Sequence, residues 1–285
     1  MPSTDRSRWF VTTEWLAEHL SAPDVVVVDA SWYMPAMNRD GRQEYLSAHI
    51  PGAVFFDLDG ISDHSSGLPH MLPSPEQFSS AMRKLGIGDG MKVVIYDGLG
   101  LFSAPRVWWT FKVMGARDVV LLDGGLPKWR REGRPLEDGP VARPPRHFTA
   151  RMDHGLVRDL EDVRKASESG SALIVDARAG DRFRGEVPEP RAGLRSGHMP
   201  GSVNVPHSEI VADGRLADPA TVAAVFAKAG VSGDKPIITS CGSGVSAAIL
   251  WLALETLGHT RLGLYDGSWT EWGGREDTTV LTGPA

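Results

Sequence analysis

The sequence predicts an α/β protein made of two tandem domains, each a mostly parallel sheet with helices on both faces. Two observations lead to this fold class. Short, nearly all-apolar segments that resemble strands alternate with helix-like segments, which is typical of a parallel sheet buried on both faces. The same series of segments and turn motifs then recurs, in the same order, in the second half of the 285 residues. We interpret this recurrence as a duplicated α/β domain.

The first matched elements are a strand and a turn. Residues 25–29 (VVVVD) form the predicted strand of the first half, and residues 49–52 (HIPG) form its turn. Residues 173–176 (LIVD) and 198–201 (HMPG) repeat both elements in the second half. Because a histidine stands in both turns, we expect it to fix the turn by a local hydrogen bond rather than to take part in catalysis.

A helix with the same start and stop signals follows in each half. Ser74 and Asp218 are the expected N-caps, each followed directly by a proline, and Gly86 and Gly230 end the two helices. Gln77 completes a capping box with Ser74. An N-cap residue, a proline in the first helical position and a terminal glycine are helix signals in their expected order.

A further strand and a common ending complete the repeat. Residues 93–96 (VVIY) match residues 237–240 (IITS), and residues 123–129 (DGGLPKW) match residues 266–272 (DGSWTEW). Between the halves, the proline-rich stretch before Asp153 has the character of an extended linker. We therefore expect a first domain over residues 1–140, a linker over 141–153 and a second domain over 154–285.

Composition and charge exclude several classes of protein. The 30 Lys and Arg residues against 36 Asp and Glu residues give a net charge of −6, without the basic stripe of a nucleic-acid-binding protein. No segment resembles a signal peptide or a membrane helix, so we expect no membrane partner. The single cysteine excludes a disulfide framework and a cysteine-built metal site, and it fits a reducing cytoplasmic location. We expect no cofactor and no metal.

That cysteine is the most informative residue of the chain. Cys241 lies between a strand-like run, residues 236–240, and a helix-like run, residues 247–257, in the sequence CGSGVSA. A thiol at the tip of a strand faces backbone N–H groups and a helix N-terminus, which favour the thiolate. The matching position in the first half is Asp97, so only one copy carries a nucleophile. Since open α/β sheets bind ligands beyond the carboxyl ends of their strands, we expect the site there, where the two halves meet.

The chain resembles the rhodanese superfamily in three motifs. They are the HxPG turn of each half, the Asp-Gly ending that carries tryptophan, and the Cys-Gly-Ser-Gly-Val loop. The resemblance covers about residues 11–276 and implies two tandem rhodanese-like domains, the second of them catalytic. It implies a sulfurtransferase that carries sulfur as a persulfide on Cys241 to an acceptor. The acceptor would be cyanide or a thiol, such as a small thiol or a thioredoxin-like protein.

The loop also indicates the sulfur donor. Family members that use thiosulfate usually carry basic residues after the cysteine, whereas the branch that uses 3-mercaptopyruvate carries Cys-Gly-Ser-Gly-Val-Thr. Here the loop is neutral, and Ser246 stands in place of the threonine. A thiosulfate dianion needs cations beside its sulfur, and this loop offers none. The expected donor is therefore 3-mercaptopyruvate, which leaves as pyruvate.

Further site residues follow from the loop and from the resemblance. We expect the backbone amides after the cysteine to cradle the persulfide, since glycine lets N–H groups converge on an anion; they belong to Gly242, Ser243, Gly244, Val245 and Ser246. The resemblance couples Ser243 to His70 and Asp59 of the other domain as a proton relay. It also implies that Arg182 and Arg191 bind the substrate, because a guanidinium can hold a carboxylate by two hydrogen bonds. Arg178 either helps them or pairs with an acidic neighbour.

Three other functions remain as alternatives. A thiosulfate sulfurtransferase shares the fold and the persulfide and differs only in its donor. A cysteine phosphatase needs an arginine at the end of the loop, where this chain has Ala247. A non-catalytic rhodanese-like module for binding or redox sensing would gain no sulfur from a donor.

Overall fold

The computed structural model describes residues 5–284 and contains two α/β domains in succession. The first has a five-stranded parallel sheet with the order β1-β5-β4-β2-β3. Its strands are β1 (Phe10–Val11), β2 (Val25–Asp29), β3 (Val54–Phe55), β4 (Lys92–Tyr96) and β5 (Val119–Leu122). Its helices are α1 (Thr13–His19), α2 (Gly41–Ser47), α3 (Leu58–Ile61), α4 (Pro75–Lys84), α5 (Ala104–Val113) and α6 (Gly125–Arg131), with a 3₁₀ turn at Pro35–Met37.

The second domain repeats this topology strand for strand, with the order β6-β12-β11-β7-β8. Its sheet contains β6 (Val157–Arg158), β7 (Leu173–Asp176), β8 (Ser202–Asn204), β11 (Ile237–Ser240) and β12 (Leu262–Tyr265), and a hairpin is formed by β9 (Val211–Ala212) and β10 (Arg215–Leu216). Its helices are α7 (Leu160–Ser169), α8 (Gly180–Phe183), α9 (Pro219–Lys228), α10 (Ala247–Thr256) and α11 (Ser268–Gly274), with 3₁₀ turns at His154–Leu156 and His207–Glu209. The identical order confirms the duplication.

The helix signals in the sequence have the predicted effect. Ser74 caps α4, and Gln77 returns the hydrogen bond to complete the capping box. Asp218 caps α9 through the amides of the first turn. Gly86 and Gly230, just beyond the two helices, have φ angles of +69° and +77°, a region in which glycine has no steric cost.

The two domains share one apolar core, because the equivalent helices α5 and α10 pack against each other. Trp108 of α5 meets Trp251 of α10 edge to face, with ring centroids 5.6 Å apart. Lys112 lies over both rings and pairs with Glu255 at 2.5 Å. Trp108 and Trp251 are both buried, so the contact between the domains resembles the interior of a single domain. Burial of a large apolar side chain stabilises the folded state by about 1.5–3 kcal/mol.

Each domain also covers the loop at the carboxyl edge of the other's central strand. The β9–β10 hairpin of the second domain lies on the loop after β4, where a Cβ on Gly100 would come within 2.6 Å of the Gly214 Cα. His70 of the first domain lies against Ser243 in the loop after β11, and the Leu72 amide donates to Asp266, directly after β12. The fold therefore places the loop that follows β11 at the junction of the two domains.

The segment between the domains, residues 133–153, contains no helix and no strand of more than one residue, and it lies along the first domain. The amide of Arg151 donates to the Met114 carbonyl at 2.9 Å. Phe148 packs edge to face on Phe78, with centroids 5.4 Å apart. The segment is thus attached to the first domain over much of its length.

Candidate active site

Cys241 directly follows β11, which lies between β12 and β7 in the middle of the second sheet. The residue is 2% exposed. Its amide donates to Ser268 Oγ at 3.3 Å, and its carbonyl accepts from the Trp269 amide at 2.9 Å. These bonds fix the backbone of the only cysteine at the carboxyl edge of the sheet, at the start of the loop that leads to α10.

The cysteine loop, residues 241–246, has unpaired donors. None of the backbone amides of residues 242–246 donates to an acceptor within residues 5–284. An unpaired amide in a buried position costs about 1–3 kcal/mol, so a run of them favours the binding of an anion. Gly244 has a φ of +79°, which turns the chain back within the loop.

The equivalent loop of the first domain contains its own anion. Asp97 Oδ1 accepts from the Leu99 amide at 2.8 Å. Its Oδ2 accepts from the amides of Phe102 and Ala104 at 2.7 and 2.8 Å. The two loops occupy equivalent positions in the fold. In the first loop a carboxylate accepts hydrogen bonds from the amides, whereas in the second loop the amides have no acceptor in the described part of the chain.

A chain of hydrogen bonds crosses the domain junction at Ser243. His70 Nδ1 lies 3.0 Å from Ser243 Oγ, and its Nε2 lies 3.1 Å from Asp59 Oδ1. Since the carboxylate only accepts, it places the proton of the neutral imidazole on Nε2, and Nδ1 then accepts from the serine hydroxyl. The hydrogen bond from His70 holds the pKa of Asp59 below its usual value. Trp32 Nε1 donates to the other Asp59 oxygen at 3.0 Å.

Arg191 lies on the other side of the same serine. Its Nη2 is 3.5 Å from Ser243 Oγ, and no carboxylate within residues 5–284 forms an ion pair with it. Burial lowers the pKa of Arg191, and the Coulombic effect of Cys241 opposes this shift. A half-buried guanidinium with no carboxylate partner, next to the cysteine loop, is suited to bind an anionic substrate group.

Arg182 lies beside Arg191 but is held by Glu189. Its Nε and Nη2 donate to the two Glu189 oxygens at 3.1 and 2.5 Å. A Cβ on Gly242 would lie 3.3 Å from Arg182 Nη2 and 3.9 Å from Arg191 Nη1. Both guanidinium groups therefore lie over Gly242, and a side chain there would compete with them for space.

Arg178 is not available to a substrate, which corrects the first of its two expected roles, that of helping Arg182 and Arg191 to bind the substrate. The residue is 2% exposed, and its donors are taken up by Asp176, by Glu189 at 3.0 Å and by the Gly197 carbonyl at 2.8 Å. Burial lowers the pKa of Arg178, but the charge of Asp176 reverses the shift, so that the pKa is raised overall. Of the two roles considered, the structure supports the ion pair. Arg178 holds Glu189, which in turn holds Arg182.

A family model of the rhodanese-like domain matches residues 12–132 and again residues 159–275. The chain belongs to the rhodanese family. This membership confirms both the resemblance seen in the sequence and the fold class of two tandem rhodanese domains.

Relatives of known name match over nearly their whole length. The chain is 49% identical over 273 residues to the 3-mercaptopyruvate sulfurtransferase of Escherichia coli strain K12, covering 95% of this chain and 97% of that protein. It is 42% identical over 279 residues to the Homo sapiens 3-mercaptopyruvate sulfurtransferase, covering 95% and 94%. The crystal structure of SseA from Escherichia coli, described as a 3-mercaptopyruvate sulfotransferase with the rhodanese fold, superposes with a TM-score of 0.86 at 48% identity, covering 92% of this chain and 98% of that one.

Sequence reasoning missed four residues that the rhodanese fold brings to this junction. They are Trp32, Arg106, Glu189 and Asp266. Arg106 had a recognisable signal, because it is the one charge among the apolar residues at the start of the Ala104–Val113 helix. Asp266 belongs to the repeated Asp-Gly ending, which pointed to the duplication rather than to the site.

Two absences hold within residues 5–284, the part of the chain that the structure describes. No group of three or more His, Cys, Asp or Glu side chains in this range is arranged to hold a metal ion. None of the helices in the same range combines the length and the apolar character that a membrane span requires.

Proposed function

We propose that this chain is a 3-mercaptopyruvate sulfurtransferase, which moves sulfur from 3-mercaptopyruvate through a persulfide on Cys241 to a thiol or to cyanide and releases pyruvate. Relatives with this name match 93% or more of the chain at 41–49% identity. The geometry of the junction supports the same reaction. The site contains a nucleophile, an anion-binding loop, a basic group for a carboxylate and a path for a proton.

One observation carries the proposal: His70 and Arg191 meet at the Ser243 hydroxyl, at 3.0 and 3.5 Å, two residues beyond the cysteine. A substrate carboxylate bound by Arg191 therefore lies within reach of both the proton relay and the cysteine loop. Thiosulfate needs no proton relay of this kind, because its leaving group, sulfite, departs as a stable anion. The combination thus suits a donor whose leaving group is a carbanion equivalent.

The first half-reaction transfers sulfur to the enzyme. The Cys241 thiolate attacks the sulfur of 3-mercaptopyruvate, a bond forms between the two sulfur atoms, and the bond between that sulfur and C3 breaks. The electron pair of the broken bond stays with carbon as the enolate of pyruvate, which takes up one proton at C3. Cys241 is then a persulfide, and the thiol hydrogen of the substrate is on the outer sulfur.

The relay supplies that proton. In the charged form of His70 both ring nitrogens carry a proton, so Nδ1 replaces the proton that the Ser243 hydroxyl gives to C3 of the enolate, and His70 is left as the neutral imidazole with its proton on Nε2. Asp59 keeps the imidazole oriented and stabilises its charged form across the 3.1 Å contact. General acid–base catalysis of this kind contributes about 10²–10⁴-fold to a rate.

The loop amides stabilise the charge on sulfur. The persulfide loses its hydrogen to solvent and becomes an anion, whose outer sulfur extends beyond Cys241 Sγ toward the unpaired donors of residues 242–246. Preorganised N–H groups stabilise an anion without reorganising when it forms. An acceptor thiolate or cyanide then attacks the outer sulfur, and the Cys241 thiolate leaves and restores the enzyme. A small thiol or a thioredoxin-like protein fits this second step.

The test is a mass measurement of the whole protein after incubation with 3-mercaptopyruvate. We expect a gain of one sulfur atom, with one pyruvate released per chain, and we expect Cys241→Ser to abolish both. No gain in mass would leave only a binding or sensing module. A parallel comparison of kcat/KM for 3-mercaptopyruvate and thiosulfate decides between the two donors, and a higher value for thiosulfate would overturn the proposed substrate.

A further inference from the structure

Arg106 is a buried charge in the interface between the domains. It lies on α5, is 1% exposed, and its guanidinium carbon is 4.7 Å from the centre of the Trp109 ring. A charge taken out of water in this way costs several kcal/mol unless partners compensate it. The groups that bind Arg106 therefore indicate which contacts depend on this buried charge.

The charged partner comes from the other domain. Asp266, directly after β12, accepts from Arg106 Nη2 at 2.6 Å through Oδ1, and its side chain is 6% exposed. The second oxygen of Asp266 accepts from the Leu72 amide at 2.8 Å. Arg106 Nη2 also donates to the His70 carbonyl at 2.5 Å. The ion pair thus binds the backbone on both sides of Met71, at the segment that carries the relay histidine.

The same guanidinium reaches the cysteine loop. Arg106 Nη1 is 3.4 Å from the Gly244 carbonyl, one residue beyond Ser243. A Cβ on Gly244 would lie 2.7 Å from that nitrogen, so the close approach requires a glycine. One side chain is therefore bonded to the residue that carries the imidazole and to the neighbour of the residue that carries the hydroxyl.

His70 needs such support. Its φ is +61°, in the left-handed region that a residue with a side chain adopts only when its surroundings hold it there. Its imidazole must at the same time reach a serine that is 173 positions away in the sequence and in the other domain. If the backbone at His70 were not fixed, the distance between His70 Nδ1 and Ser243 Oγ would vary instead of staying at 3.0 Å.

We propose that Arg106 and Asp266 are positioning residues that set the distance between His70 and Ser243, and that proton delivery to the pyruvate enolate depends on this ion pair. The inference rests on the proposed function, because it assigns the pair to the relay of that reaction. Neither residue touches the substrate or the reacting atoms, so both act through His70 and Ser243.

A double-mutant cycle tests the inference. Arg106→Lys keeps the charge but not the planar fork that bonds several acceptors at once. We expect it to lower kcat for 3-mercaptopyruvate about 10–100-fold, with KM changed by less than about threefold, because general acid–base catalysis is lost while substrate binding is kept. In a Ser243→Ala background, where the relay is already broken, we expect the same change to cost less than about twofold.

A matched control lies on the same helix. Lys112→Met removes the Lys112–Glu255 ion pair, which joins α5 to α10 about 9 Å further along α5 than Arg106. We expect this variant to lower the melting temperature yet keep the kcat of the wild type. If it lowers kcat as much as Arg106→Lys does, the effect comes from loosening the interface in general, and the inference fails.

Asp266→Asn is the second variant. It tests the same ion pair from the other domain and does not depend on the stability of Arg106→Lys. It keeps an oxygen for the Leu72 amide and removes the charge that holds Arg106, so we expect the same loss of kcat and the same lack of effect in the Ser243→Ala background. The inference is overturned if the kcat losses of Arg106→Lys and Asp266→Asn add to that of Ser243→Ala. It is also overturned if kcat is unchanged in both variants, or if neither variant folds. Ser243→Ala with full activity would also overturn it, since no relay would then exist. A wild-type protein that gains no sulfur is a different result, which refutes the proposed function itself.

Discussion

Asp97 and Cys241 occupy the same position in the two halves of the duplication, and they differ in how the loop amides that follow them are paired. The Asp97 carboxylate accepts three amides of its own loop, whereas the amides of residues 242–246 have no acceptor within residues 5–284. The Asp97 carboxylate is held by the three amides of its own loop beyond the end of the central strand of its sheet. We propose that a persulfide on Cys241 is held in the same way in the second domain.

Asp97→Ala tests whether that carboxylate stabilises its loop. Removal of the anion leaves three amides without acceptors at a residue that is 1% exposed. We expect the free energy of unfolding to fall by about 2–4 kcal/mol in urea denaturation, and Asp97→Asn, which keeps one oxygen acceptor, to lose less. A variant as stable as the wild type would mean that other groups satisfy these amides.

The parts of the fold that the sequence predicted depend on local signals. Ser74 and Gly86 mark a helix because capping and a left-handed turn are properties of a few neighbouring residues. The cysteine loop was recognisable for the same reason, since a strand, glycines and a helix start are adjacent in the sequence. Repetition of these signals then made the duplication visible without any knowledge of the contacts between the halves.

The missed residues depend on contacts between distant parts of the chain. Arg106 and Asp266 are 160 positions apart, and neither has a local pattern that names the other. Arg178, Arg182 and Arg191 are three arginines in one segment, and only the fold decides which of them is buried among carboxylates. Burial of Arg178 under Glu189 is a property of the packed domain, so sequence reasoning left its role open.

Arg191→Ala should weaken binding of the donor's carboxylate. We expect KM for 3-mercaptopyruvate to rise about 10–100-fold, since a charge-assisted hydrogen-bond pair contributes about 1.5–3 kcal/mol. For 1-mercaptopropan-2-one, which lacks only the carboxylate, we expect less than about a threefold rise. Arg184→Ala is the control, because this exposed arginine of the same segment is paired with Glu186 at 2.7 Å. Equal losses for the two donors would refute the assignment of Arg191.

Ser243→Ala separates the relay from the nucleophile. Without the hydroxyl, His70 loses the group that is 3.0 Å away and the enolate loses its proton source. We expect the single-turnover rate of pyruvate release to fall about 10²-fold or more. Alkylation of Cys241 by iodoacetamide should stay within about twofold of the wild-type rate, because the loop amides are unchanged. If alkylation is lost as well, Ser243 acts on the thiolate rather than on the proton.

Asp29 gives a prediction of how stability depends on pH. The residue is 1% exposed at the end of β2, and burial raises its pKa to about 6 even though the Ser31 amide donates to it at 2.9 Å. The pKa of Asp29 is therefore higher in the folded protein than in the unfolded protein, where it is near 3.8. The stability that this difference contributes is fully present below pH 3.8, and it is lost as the pH rises through about 6.

Asp29→Asn removes this titration and keeps an oxygen for the amide. We therefore expect the stability of the variant relative to the wild type to increase by about 1 kcal/mol between about pH 5 and about pH 7.5, as measured by urea denaturation. A stability difference for Asp29→Asn that is the same at both pH values would contradict the assignment of a raised pKa to the buried group.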